Sequence, residues 1–236
     1  MPETGSPSEK QKLSEIAKHL NVSFKQGRPA YELLPEIRAF PKPIVIDFNN
    51  VLANNDDPLI PNPHASAFLD KLNKVGNIFI VTTATSWDLV NKFLADQKML
   101  KKDTVLMVAD NYQFLASGSE GYRDEEVTQA NKLWDEYSAF AKVLSNPPAE
   151  GQIKRSRSGT ALAKKHLAPL FLKPFNVPIV DDAGMATYDN PGMLGIQVDK
   201  FMPVFYEDDP DYNYDGSTLN SAAAIVEEHY AGAARS

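Results

Sequence analysis

Two apolar runs in this chain end on carboxylates. Ile44-Val45-Ile46 runs into Asp47, and Val177-Pro178-Ile179-Val180 runs into Asp181-Asp182. A short run without polar alternation fits a strand buried on both faces, the kind found in parallel sheets. A strand that stops at a carboxylate puts it at the carboxyl edge of the sheet, where open α/β folds bind ligands. The alternative for each run is an aspartate that caps an ordinary strand-to-loop turn. The segments between them bear on that choice.

After Asp47 comes a polar loop, residues 53–58, then Pro61-Asn62-Pro63. A helix is expected from about His64, with Ala65, Phe68, Leu69, Leu72 and Val75 on one face and Gly76 as its stop. Residues 77–82 read as a second buried strand leading into Thr83-Ala84-Thr85. Ser86 can cap a further helix that buries Leu89, Val90, Phe93 and Leu94. Residues 104–108 form a third apolar run. Strand, helix, strand, helix, strand at these lengths predicts an α/β protein with a doubly wound parallel sheet. Further on, a helix over about 160–171 precedes the 177–182 strand. A short strand at 195–198 and a closing helix from 217 to about 230 complete the pattern.

The flanks differ. Residues 9–20 predict a short helix through Leu13, Ile16, Ala17 and Leu20. Pro29, Pro35, Pro41 and Pro43 predict a surface linker over 28–43. Residues 110–150 interleave Tyr112, Phe114, Tyr122, Trp134, Tyr137 and Phe140 with acidic residues and include a helix over 125–144. They read as a helical, aromatic insertion, whose stripe serves either as core or as a binding surface. The resulting organisation is a lead-in with a short helix (1–40), the α/β domain (41–202, insertion about 110–150), and an acidic loop with a C-terminal helix (203–236).

Composition narrows the function classes. The net charge of −7 opposes nucleic acid as a bulk partner, which needs a basic face. No apolar stretch approaches the length of a membrane span, and the first ten residues resemble neither a signal nor a transit peptide. There are no cysteines, so disulfides, thiolate metal sites and cysteine nucleophiles are excluded. A cytoplasmic location agrees with this.

The chemistry collects at strand ends. Two strands end in carboxylates, a third in Thr82, Thr83 and Thr85, and Lys164-Lys165 lie one helix before the second carboxylate strand. Neighbouring strands would crowd Asp47, Asp181 and Asp182 at one edge, and like charges at such range raise each other's pKa unless a cation sits between them. All-oxygen donors with phosphate suit Mg²⁺. A lysine and a hydroxyl beside that ion hold phosphate oxygens. Such a set supports phosphoryl transfer with an aspartate as covalent nucleophile. Each residue also has a plainer use: Lys165 as a solvated helix lysine, Thr83 as a helix-start hydroxyl, the aspartate pair as a turn. The basic run Lys154-Arg155-Ser156-Arg157 reads either as a solvated loop or as a site for a phosphate or an acidic partner.

In this order the motifs resemble the haloacid dehalogenase (HAD) superfamily of phosphohydrolases, most closely the branch with the NIF-type C-terminal-domain phosphatases. Asp47-Phe48-Asn49-Asn50-Val51-Leu52 is similar to that family's Asp-x-Asp-x-Thr/Val-Leu except at the second aspartate. Val81-Thr82-Thr83-Ala84-Thr85 is similar to its strand-Thr-Ala-Ser. Lys165-His166-Leu167 stands sixteen residues before Asp181, as the family's lysine motif does, and Lys164 is the neighbouring candidate. Ile179-Val180-Asp181-Asp182 is similar to the final acidic motif. The resemblance spans about residues 41–202 and leaves the lead-in, the insertion and the tail unmatched.

The resemblance implies a HAD-like Rossmannoid fold, Mg²⁺ as cofactor, and a phosphorylated small molecule or phosphoprotein as substrate. It implies that Asp47 attacks phosphorus and binds the metal, and that Thr83 and Ala84 receive the phosphoryl group. Lys165 or Lys164 neutralises that group. Asp182, Asp181 and the backbone carbonyl of Asn49 complete the metal site. Asn49 departs from the pattern: an amide cannot act as the acid/base, and losing one forfeits about 10²- to 10⁴-fold in rate. Three outcomes follow: a slow phosphatase with another acid such as His64, an enzyme confined to good leaving groups, or a pseudophosphatase that binds partners through the aromatic insertion or acidic tail.

Overall fold

The computed structural model describes residues 8–82, 86–108, 167, 170–173, 176–182, 193–203 and 214–233. Five parallel strands form one sheet: β1 (Pro43–Asp47), β2 (Asn77–Thr82), β3 (Val105–Val108), β4 (Pro178–Asp181) and β5 (Leu194–Gln197), in the order β3-β2-β1-β4-β5. β1 to β4 are made of Ile, Val, Phe, Leu and Met with almost no polar interruption. That composition suits them because both faces of the sheet are covered.

The described helices are α1 (Glu9–Lys25), a 3₁₀ helix (Ala30–Leu33), α2 (Leu34–Arg38), α3 (Ala65–Leu72), α4 (Trp87–Asp96) and α5 (Ser217–Ala233). Strand alternation divides the core in two. Val45, Phe79, Val81, Val105, Met107 and Ile179 face Ala17, Leu20 and Phe24 of α1 together with Leu33, Ile37 and Phe40. Ile44, Ile46, Ile78, Ile80, Leu106 and Val180 face α3, α4 and α5 through residues such as Leu69, Leu94 and Val226. The result is a three-layer α/β/α sandwich, the doubly wound α/β arrangement expected from the sequence.

Four local expectations change, one of them at Leu89, which lies on α4 but is 56 % exposed rather than buried. The first helix does not stop near residue 20 but continues to Lys25, started by a reciprocal capping box between Ser8 and Gln11. The proline-spaced segment is not a surface linker. It forms two short helices whose Leu33 and Ile37 are fully buried. Pro29 precedes the first of them and Pro35 lies in the opening turn of the second, positions where a missing N–H is tolerated. Gly76 does not end α3, which is capped at Asn73. A side chain at 76 would instead overlap the Lys42 carbonyl oxygen, so glycine is needed for that close approach.

Candidate functional site

The chain leaves β1 to build β2 and β3 on one side, then returns to the other side of β1 to build β4 and β5. The direction of winding therefore reverses between β1 and β4, where Val45 pairs with Ile179 and Ile46 with Val180. In open parallel sheets such a switch point opens a crevice at the carboxyl ends of the strands, and ligands bind there. Asp47 ends β1 and Asp181 ends β4, so both carboxylates stand at this crevice, with Asp182 one residue beyond.

Asp47 and Asp181 are buried and Asp182 is half-buried, and each offers an oxygen within 4.8 Å of the others. When ionised, each pair at that separation repels by on the order of 3 kcal/mol at an effective dielectric constant of about 20. A cation between them converts that repulsion into attraction. Three carboxylate oxygens form a hard donor set, so this chain's own residues fit a metal ion here. Among the described residues this is the one cluster with that geometry.

The loop after β1 is ordered by its own backbone. Leu52 and Ala53 N–H groups both donate to the Phe48 carbonyl. Asn49 bridges Ala53, which in turn bridges Pro61, folding residues 49–62 back on themselves. Asn54 braces the turn over residues 54–60, its Nδ2 donating to the Pro58 carbonyl and its Oδ1 accepting from the Ile60 N–H.

Asn49 is engaged at both ends of its amide. Its Oδ1 accepts from Thr82 Oγ1 at 2.6 Å and its Nδ2 donates to Asn55 Oδ1 at 2.7 Å. Asn50 takes a left-handed conformation, φ 58°, which asparagine tolerates better than most residues. From there its Nδ2 donates to Asp182 Oδ2 at 3.2 Å, and its carbonyl accepts the Phe201 N–H. Gln197 of β5 donates to the Asp182 carbonyl. The carboxylate cluster thus has fixed surroundings on two sides.

A cavity of about 660 Å³ has Phe48 and Asn49, which follow Asp47 in the chain, on its wall, and none of the three carboxylates lines it. The folded-back loop supplies Asn55, Asp56 and Asp57, and α4 supplies Leu89 and Phe93. Phe93 meets the Phe48 ring edge-on at 5.7 Å.

Of the residues singled out by the sequence, the structure brings together Asp47, Asp181 and Asp182, with Asn49 one hydrogen bond from the end of β2. Thr83, Ala84, Lys164 and Lys165 lie outside the described residues. So do the aromatic segment 110–150, the basic run 154–157 and most of the acidic tail. His64, the alternative acid, packs instead against the Tyr214 ring at 6.1 Å and against Gly216. The neighbouring Asp215 carboxyl is held below its ordinary range by hydrogen bonds from Ser217, with a smaller contribution from the His64 charge.

Sequence reading gave no role to Asn50 or Asn55, and it named Thr82 only as one of the hydroxyls ending a strand, not as the partner of Asn49. For Asn50 a signal existed: Asn-Asn after a strand-ending Asp favours a left-handed turn that can aim an amide back at the edge. No protein-family model matches the chain, and no curated protein matches it either. Among the described residues no helix is long and apolar enough to cross a membrane.

Proposed function

We propose that the protein is a HAD-like, Mg²⁺-dependent phosphohydrolase or phosphotransferase that works through an aspartyl-phosphate on Asp47. The observation that carries this reading is the trio Asp47, Asp181 and Asp182, within 4.8 Å of one another at the switch point of a parallel sheet. A bound Mg²⁺ would draw charge from the transferring phosphoryl group and offset the repulsion among these carboxylates.

In this reading an Asp47 oxygen forms a bond to phosphorus as the bond to the leaving oxygen breaks. Water then cleaves the acyl phosphate and restores the carboxylate. Thr83 and Ala84, next to the end of β2, would receive the phosphoryl oxygens, and Lys165 or Lys164 would neutralise them. The Asn49 amide cannot protonate the leaving oxygen, so the substrates served best are phosphate esters with good leaving groups. Phosphate release from a chromogenic aryl phosphate in Mg²⁺ tests the proposal. Asp47→Asn should lower the rate on the order of 10⁴-fold, and turnover that survives the change would sink the mechanism.

A second reading has its own observation. The Asn49 amide is hydrogen-bonded at both ends, to Thr82 and to Asn55, which gives it a structural role without chemistry. A pseudophosphatase that binds phosphorylated molecules or proteins would need no more. Asn49→Asp separates the two. A slow enzyme that lacks only its acid/base gains about 10²- to 10⁴-fold, whereas a binding module gains nothing.

A further inference from the structure

A second cavity, of about 440 Å³, opens at the opposite edge of the sheet, below the amino ends of β1 and β4. Its volume lies in the range of small-molecule sites. The floor is apolar: Phe171, Leu172 and the Tyr230 ring line it, and Leu172 is 60 % exposed. The floor is also rigid, because the Tyr230 hydroxyl serves the carbonyls of Pro43 and Asn176, tying α5 to the starts of both strands.

Among the described residues lining this floor, the charged side chains have one sign. Arg38, Lys42 and Lys173 line it, and none of the described lining residues carries a carboxylate. The Lys42 ammonium is placed over the Tyr230 ring, 5.9 Å from its centroid. In a chain of net charge −7, three cations about one apolar hollow, unmixed with acids, are a local inversion. They raise the potential where a negative head group would sit.

We propose that this cavity binds a small, freely soluble amphipathic anion, a carboxylate head on an apolar body, with the head between Lys42 and Lys173 and the body against Phe171, Leu172 and Tyr230. Nothing in this depends on Asp47 or on catalysis at the other edge.

The test is calorimetric titration of the full-length protein with octanoate and, separately, with 1-octanol, which has the same body without the charge. Octanoate should bind at one site about fivefold more tightly than 1-octanol. The double change Lys42→Gln, Lys173→Gln should weaken octanoate by about fivefold and leave 1-octanol unaffected. Both lysines are exposed, so the variant should fold cooperatively, melting at most a few degrees below the parent because it loses the Lys42 contact with the Tyr230 ring. The proposal is overturned if the two ligands bind equally, or if the double variant binds octanoate as the parent does. It is equally overturned if octanoate does not bind, or if the only anion retained is the surface of phosphatidylglycerol vesicles.

Discussion

Asn49 differs from an aspartate by one group, and its neighbours decide what the exchange would mean. Thr82 Oγ1 donates to its Oδ1, an interaction that a carboxylate would keep. Asn55 Oδ1 accepts from its Nδ2, which a carboxylate would lose unless the Asn55 amide turned to donate. The fold can therefore host an aspartate here after one local adjustment, which makes Asn49→Asp a usable probe of function. Gly76 allows no such adjustment. The atom that a new Cβ would meet is the Lys42 backbone oxygen, which itself accepts the Asn77 N–H. A rigid backbone atom cannot turn away as a side chain can. Gly76→Ala should lower unfolding stability by about 1–3 kcal/mol, measurable as a lower urea midpoint at unchanged slope. The glycine was visible in the sequence, but its reason was not. A helix stop and a close backbone approach look the same until β1 is placed beside residue 76.

At the scale of elements, α1 does more than cover a sheet face. β3 is the edge strand on its side of the described sheet, with backbone groups facing away from β2. Asn21 of α1 meets two of them, its Nδ2 donating to the Thr104 carbonyl at 2.9 Å and its Oδ1 accepting the Leu106 N–H at 2.8 Å. Trp87 of α4 donates to the Leu106 carbonyl. Side chains thus stand in for a sixth strand and block edge-to-edge pairing. Asn21→Ala leaves the Thr104 and Leu106 groups without these partners and should cost about 1–3 kcal/mol in denaturant unfolding, with a raised tendency to self-associate seen by light scattering. The helix itself was legible from Leu13, Ile16, Ala17 and Leu20, although its extent to Lys25 was not, because Asn21 and Ser23 interrupt the apolar pattern. Their bonds and burial are tertiary. The strands were legible nearly to the residue, since buried parallel strands are written as unbroken apolar runs.

For the whole molecule, what the sequence could not display was strand order. Asp47 and Asp181-Asp182 were readable as strand ends, yet they form one cluster only because β4 returns to the open side of β1. Had β4 been added beyond β3, the same residues would lie two strands further apart. That adjacency also bears on stability. β1 pairs with β2 at five positions and with β4 at two, so the switch point is the shorter seam of the two. The three carboxylates straddle it, and when ionised they repel one another across it. An ion held jointly by Asp47 on one side and by Asp181 and Asp182 on the other would tie the seam together. Binding that favours the folded state adds about 2.7 kcal/mol at a free ion concentration one hundred times the dissociation constant. On the proposed reading, with Mg²⁺ as that ion, the protein stripped with EDTA should melt several degrees lower than the same protein in excess Mg²⁺. Asp47→Asn and Asp182→Asn should each raise the melting temperature of the stripped protein, by relieving repulsion, while removing most of the gain on adding the ion. Equal gains in parent and variants would place the ion elsewhere. A stripped parent no less stable than its variants would mean that a proton or the carboxylates' own protein partners already offset their repulsion.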